Sequence, residues 1–363
     1  MKLPKVVTIA TIAALAVAAG WLARRALRPG STIAILDTGI DLQRAPELRS
    51  SVRSEDSRNF WEPGPDVRDE SGHGTDVALK AHEACPRCRL LIEKITRHGA
   101  GVRASDLSAA IDYAVARGAC VINLSAGVVS PGGTNAAPDE RALAASVAAA
   151  EKAGTLVVAA AGIGVPNPFR PAALSTFAPQ RFAETFVVGR AREHGLPDEL
   201  GNFGPELDLS VEQAAGVNPG VGSSFAAAEV SGIAAALDSG LPLAELRCRL
   251  RQATAPAAPS RDVESRVGFG VLSRGEPPGG PCLGARANQG FTRVWVNSAE
   301  PLTASSAEWS CPSRPPERAA FEIAGAKPGL LVLAPKGAPE PACKLKLTLT
   351  NAVGTKRELE VAP

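Results

Sequence analysis

The sequence predicts an α/β protein, with a mostly parallel sheet covered by helices on both faces, followed by a small all-β domain. Three observations carry this. From Ser31 onward, short apolar runs alternate with helix-length segments, the rhythm of strand–helix–strand units that build parallel sheets. At Gly275 to Pro281 the run Gly-Glu-Pro-Pro-Gly-Gly-Pro interrupts the pattern, because neither a helix nor a central strand continues through such a stretch. Beyond it, strand-like runs are separated by Gly, Pro and Asn turns, which is the signature of a β-rich unit.

Composition narrows the function classes. With 363 residues, 45% hydrophobic and 21% charged, the chain has the profile of a globular protein, not of a disordered, collagen-like or multi-span membrane one. Thirty-nine Lys+Arg against 37 Asp+Glu leave a net charge of +2. No basic excess therefore argues for nucleic acid, and none is expected as a partner.

Residues 1–30 read as a membrane anchor or signal segment. Val6 to Ala23 carries no charge and is flanked by Lys2 and Lys5 on one side and by Arg24, Arg25 and Arg28 on the other. Its length reaches the minimum for a span and exceeds the usual apolar region of a cleaved signal. Ala16, Ala18 and Ala19 offer a cleavage site as the alternative, and the flanking charges are too balanced to set an orientation. Either way the rest of the chain is expected outside the cytoplasm, at the membrane or secreted. The seven cysteines agree with this. Six can pair, while Cys120, inside the apolar run Ala119 to Leu124, is expected as a buried free thiol. A zinc site is the alternative at Cys85 and Cys88, with His82 nearby, but no second close-spaced ligand pair follows in the sequence.

In residues 31–275 the expected strands are Thr32 to Leu36, Leu90 to Ile95, Cys120 to Leu124, Thr155 to Ala161 and Thr185 to Val188. Helices are expected over Ala104 to Arg117, Glu140 to Ala153 and Ser224 to Leu237, with another opening at Gly72-His73. In residues 282–363 the expected strands are Thr292 to Asn297, Ala319 to Ile323, Leu330 to Leu333, Lys344 to Thr350 and Arg357 to Val361.

Three short motifs stand in order along the α/β part. Asp37-Thr38-Gly39 follows the first strand, Gly72-His73-Gly74-Thr75 opens a helix, and Gly222-Ser223-Ser224-Phe225-Ala226 opens another. Each alone is ordinary: a lone histidine is often structural, and an aspartic protease would need a second such carboxylate, which is absent from the sequence. Together they resemble the subtilisin-like serine peptidases (subtilases), whose triad runs Asp, His, Ser along the chain. Val121-Ile122-Asn123-Leu124-Ser125, Val187-Val188-Gly189, the segment Asn202 to Leu209 and Gly268-Phe269-Gly270-Val271 support the resemblance, which covers about Ser31 to Leu272.

The resemblance implies a serine endopeptidase acting on a protein or peptide substrate. Ser224 would be the nucleophile, His73 its general base and Asp37 the carboxylate that orients the imidazole. The Ser224 backbone N–H, at a helix start, would donate to the oxyanion. Ser125, Ala126 and Gly127 would pair with an extended substrate and wall the pocket for the residue before the scissile bond. No cofactor is implied.

The sequence departs from the family at several points. The asparagine that donates the second oxyanion hydrogen bond is replaced by Ile163, and Asn167 is the nearest substitute. This predicts slow turnover or, as an alternative, an inactive pseudopeptidase that binds extended peptides. Asp76 stands where the family usually has a second His, and Ala228 and Glu229 replace Pro-His after the serine. Cys85-Pro86-Arg87-Cys88 leaves no room for a calcium-binding insertion, so Asp41 has no calcium role and no metal is expected. The CxxC turn is read as a staple for the shortened loop. The few residues between the membrane segment and the first strand leave no cleavable pro-domain expected, which suggests either unassisted folding or a product that never has to be held inactive because its activity is low or its access restricted.

Overall fold

The computed structural model describes residues 31–362 apart from residues 63, 98–100, 130–137, 164–171, 214–221, 239, 257–265, 274–281, 288–292 and 337–341. The N-terminal apolar segment and Asn167 lie outside the described residues. Among those described, no helix is long and apolar enough to cross a membrane.

In chain order the first region contains β1 (Thr32–Asp37), β2 (Arg58–Asn59), α1 (His73–Ala84), β3 (Arg89–Lys94), α2 (Ala104–Ala116), β4 (Val121–Leu124), β5 (Val128–Val129), α3 (Pro138–Lys152), β6 (Leu156–Ala160) and β7 (Phe177–Ala178). It continues with β8 (Phe186–Arg192), β9 (Leu196–Pro197), β10 (Leu207–Glu212), α4 (Ser223–Leu237), α5 (Leu243–Gln252), β11 (Thr254–Ala255) and β12 (Val271–Leu272). The main sheet has the order β11-β12-β10-β8-β6-β4-β1-β3-β2, with β9 attached to β8. Its pairings are parallel except β11 with β12 and β8 with β9. The central strands are apolar almost throughout because both faces are covered. Ile33, Ile35, Leu90, Ile92 and Val158 pack on one face with α1 and α4. Ala34, Leu36, Leu91, Ile122 and Val157 pack on the other with α2 and α3. The two helices of the first face approach closely: a Cβ at Gly232 of α4 would lie 2.5 Å from the Ala81 carbonyl of α1.

The second region has eight described strands: β13 (Leu283–Ala287), β14 (Val294–Ser298), β15 (Leu302–Cys311), β16 (Arg314–Arg318), β17 (Phe321–Lys327), β18 (Leu330–Pro335), β19 (Lys344–Asn351) and β20 (Lys356–Val361). They form two four-stranded sheets, β13-β14-β18-β17 and β16-β15-β19-β20. All their pairings are antiparallel. Val294, Val296, Trp309, Leu333, Leu345 and Leu347 close a core with residues of both sheets.

Disulfides join Cys85 to Cys88, Cys248 to Cys282 and Cys311 to Cys343, and Cys120 is a buried free thiol. The zinc alternative at Cys85 and Cys88 is thus replaced by a bond closing the turn after α1. The Cys248–Cys282 bond ties α5 to the β-rich region. Beside it Arg251 of α5 and Lys327 of β17 both reach the buried Asp208 of β10, at 2.5 Å each. Phe269 joins an apolar cluster with Trp295, Leu330 and Val332.

Candidate active site

Parallel sheets gather functional groups at the carboxyl ends of their strands. Asp37 is the last residue of β1 and is 4% exposed. Its Oδ1 accepts hydrogen bonds from the Thr38 N–H at 2.8 Å and from His73 Nδ1 at 2.7 Å. That contact fixes the proton of the neutral imidazole on Nδ1 and leaves Nε2 as an acceptor.

His73 begins α1, and the turn before it is held by Asp69. Asp69 Oδ1 accepts from Thr38 Oγ1, Ser71 Oγ and the N–H groups of Ser71 and Gly72, while its Oδ2 accepts from the N–H and Oγ1 of Thr75. Burial alone would raise the Asp69 pKa, but the bonds from Thr75, Thr38 and Gly72 win and hold it at about 2. At His73, burial disfavours the cation. The Asp37 hydrogen bond and the charges of Asp37, Asp69 and Asp76 outweigh that and raise its pKa above 6.5. Asp76 itself pairs with Arg44 at 2.6 Å, and Arg44 also donates to the Gly72 carbonyl.

Ser224 is the second residue of α4, after Gly222 at φ 142°. That φ favours glycine. The ring of the next residue, Phe225, lies 5.5 Å from the His73 ring, centroid to centroid. The start of α4 is anchored to two strand ends: Ser223 Oγ accepts from the Gly162 N–H at 2.9 Å, and Ser125 Oγ donates to the Ser224 carbonyl at 3.4 Å. Asp37, His73 and the start of α4 thus meet at one rim of the sheet, as the motifs imply. In the first turn of a helix the amides have no intrahelical acceptor and carry the positive end of the helix dipole. This suits the Ser224 N–H for an oxyanion.

Ile163 follows β6, is 48% exposed and forms an isolated antiparallel bridge with Gly201. The side chain of the neighbouring Asn202 is buried and committed to backbone, with Nδ2 donating to the Ala161 carbonyl and Oδ1 accepting from the Ala172 N–H. Ser125, Ala126 and Gly127 run from the end of β4 towards β5, and Gly127 is exposed. Beneath them Gln180 donates from Nε2 to the carbonyls of Ala126 and Ala160, at 3.0 Å each. Asp69 and Gln180 escape motif reading. Asp69 does stand four residues before the histidine of a recognised motif, which is the one signal that points to it.

The model of the subtilase family matches residues 28–270. The chain is 29% identical over 234 residues to a thermostable alkaline protease of Halalkalibacterium halodurans, covering 59% of this chain and 58% of that protein. It is 30% identical over 236 residues to a thermophilic serine proteinase of Bacillus sp. (strain AK1), covering 58% and 52%. The chain spans just over half the length of these relatives. Among solved structures, the epidermin leader peptide processing serine protease of Staphylococcus aureus superimposes with a TM-score of 0.57 at 20% identity, over 68% of this chain and 74% of that one. A family match over two thirds of the chain, on a sheet that carries the Asp, His and Ser motifs at one rim, establishes that this chain belongs to the subtilase family.

Proposed function

We propose that the protein is a serine endopeptidase that hydrolyses peptide bonds of a protein or peptide substrate through an acyl-enzyme. The observation that carries this is the 2.7 Å contact between Asp37 and His73 Nδ1 beside the start of α4. In this reading Ser224 Oγ attacks the scissile carbonyl carbon while its proton passes to His73 Nε2. The imidazolium, balanced by Asp37, returns that proton to the leaving amine as the C–N bond breaks. Water then attacks the ester, giving its proton to His73, and Ser224 regains a proton as the acid departs. The Ser224 N–H supplies oxyanion stabilisation, and Ser125, Ala126 and Gly127 hold the extended substrate.

Residues 31–275 form the peptidase unit in this proposal and residues 282–363 a stabilising β-domain. Residues 1–30 tether it to a membrane or direct its export, so that it works outside the cytoplasm. Three disulfides favour an oxidising location.

Ile163 supports a second reading, a pseudopeptidase that binds extended peptides uncut, because an aliphatic side chain cannot donate to an oxyanion. A fluorophosphonate serine probe separates the two. With the full chain in detergent, covalent labelling seen by intact mass, and lost in Ser224→Ala, supports the peptidase. A folded chain left unlabelled from pH 6 to 9, while still binding peptides, selects the pseudopeptidase.

A further inference from the structure

Gln180 is 4% exposed and lies directly under the exposed Gly127. A Cβ built on Gly127 would fall 2.7 Å from Gln180 Oε1, 2.8 Å from Nε2 and 3.1 Å from Cδ. The glycine lets the backbone after β4 lie directly against the amide, where any side chain would collide with it. The orientation of the amide is fixed: both Nε2 protons are taken by the carbonyls of Ala126 and Ala160, and acceptors there demand the nitrogen, not the oxygen. Oε1 is left buried with no hydrogen-bond donor among the described residues. A buried acceptor without a partner carries a desolvation penalty that a donor brought by a ligand removes.

Resting on the peptidase reading above, we infer that Gln180 is a specificity-determining residue: its Oε1 accepts a hydrogen bond from the substrate side chain before the scissile bond and selects glutamine or asparagine there. A neutral amide is favoured over an ammonium or guanidinium for an electrostatic reason. One neutral carbonyl dipole does not repay the desolvation of a full charge. The buried Glu140 is already paired with Arg181, the residue after Gln180. Apolar side chains of the same size would leave Oε1 unpaired, and a site built around a polar group discriminates against the analogue that lacks the partner more strongly than against one of a different size.

Glutamine and methionine are close in volume, so peptides differing only in that pair isolate the hydrogen bond. With the full chain, kcat/KM is measured for internally quenched peptides carrying Gln, Met, Leu or Lys before the scissile bond. The same peptides are titrated for equilibrium binding to Ser224→Ala, which reports preference even where no cleavage occurs. We expect Gln to exceed Met by roughly tenfold or more in either measurement, and Gln180→Met and Gly127→Ala each to bring that ratio close to one. Met or Leu equal to Gln, or Lys preferred over both, overturns the inference even if Ser224 is labelled by the probe. Absence of labelling alone overturns only the peptidase reading, because the binding ratio still decides the role of Gln180. If Gln180→Met fails to fold, the ratios of the parent chain and of Gly127→Ala remain decisive.

Discussion

At the residue scale, the proposed mechanism gives Ile163 and His73 opposite effects on the rate. In the proposed mechanism Ile163 would present methyl groups where the developing oxyanion needs a donor, and the nearby amide of Asn202 is spent on backbone. Removing this donor from a subtilisin is known to cost about 100- to 1000-fold in turnover. Ile163→Asn is therefore expected to raise kcat by at least about tenfold with little change in KM, measured on one quenched peptide. His73 must be neutral to accept the serine proton. Because its pKa lies above 6.5, the rate of fluorophosphonate labelling should fall as pH drops through a midpoint above 6.5 and reach its plateau on the alkaline side. Asp76→Asn removes one of the charges that raise it, so the acid limb should move to lower pH; an unmoved limb would mean that Asp76 is screened by Arg44. The proposed triad residues are legible because each lies in a contiguous motif. Gln180 is not, since its meaning comes from contacts with residues 20 and 54 positions away.

At the element scale, the entry into α1 depends on one carboxylate. Asp69 binds the turn that presents His73, and its pKa is about 2 in the fold against an ordinary 3.8. The sign follows from the lowered value: the stabilisation is complete above about pH 4 and is lost as pH falls towards 2. It amounts to about 2 kcal/mol. Asp69→Asn should lower the melting temperature at pH 7 and flatten its fall between pH 4 and 2, as read by thermal unfolding across that range. The principal strands of the parallel sheet were readable from the sequence because burial on both faces makes them continuous apolar runs. Helix α5 was not, because its buried face contains Arg247 and Arg251, which pair with Glu151 and Asp208 and break the apolar period. Strand β15 hides for a related reason: after Leu302 it runs through the small residues Thr303 to Ser306, which alternate only between intermediate and exposed. Strand β16 contains two prolines and is exposed throughout, a composition tolerated only at a sheet edge.

At the scale of the whole molecule, the β-rich region is joined to the peptidase fold by buried charge, a disulfide and an apolar cluster together. Asp208 and Arg251 are fully buried, and Lys327, which reaches across from β17, also donates to the Glu206 carbonyl at 2.7 Å. A buried carboxylate deprived of one of its cations is left undercompensated, which typically costs about 3 kcal/mol or more. Lys327→Met should therefore destabilise by about that amount. The Cys248–Cys282 bond closes a loop with a sequence separation of 34, and loop-closure entropy assigns it about 4 kcal/mol, against about 2 kcal/mol for the short Cys85–Cys88 ring. Joined in this way, the two regions should melt as one unit. Calorimetry of the intact chain is expected to show a single transition, and the Cys248→Ser, Cys282→Ser double variant a single transition at lower temperature. A chain ending at residue 275 should lose cooperative unfolding, because Asp208 would lose Lys327, Arg251 would lose Asn297 and the Pro328 carbonyl, and Phe269 would lose Trp295, Leu330 and Val332. Two separate transitions in the intact chain, or an undiminished midpoint in the shortened one, would instead make residues 282–363 an independent appendage. Folding of the peptidase sheet would then owe nothing to Lys327.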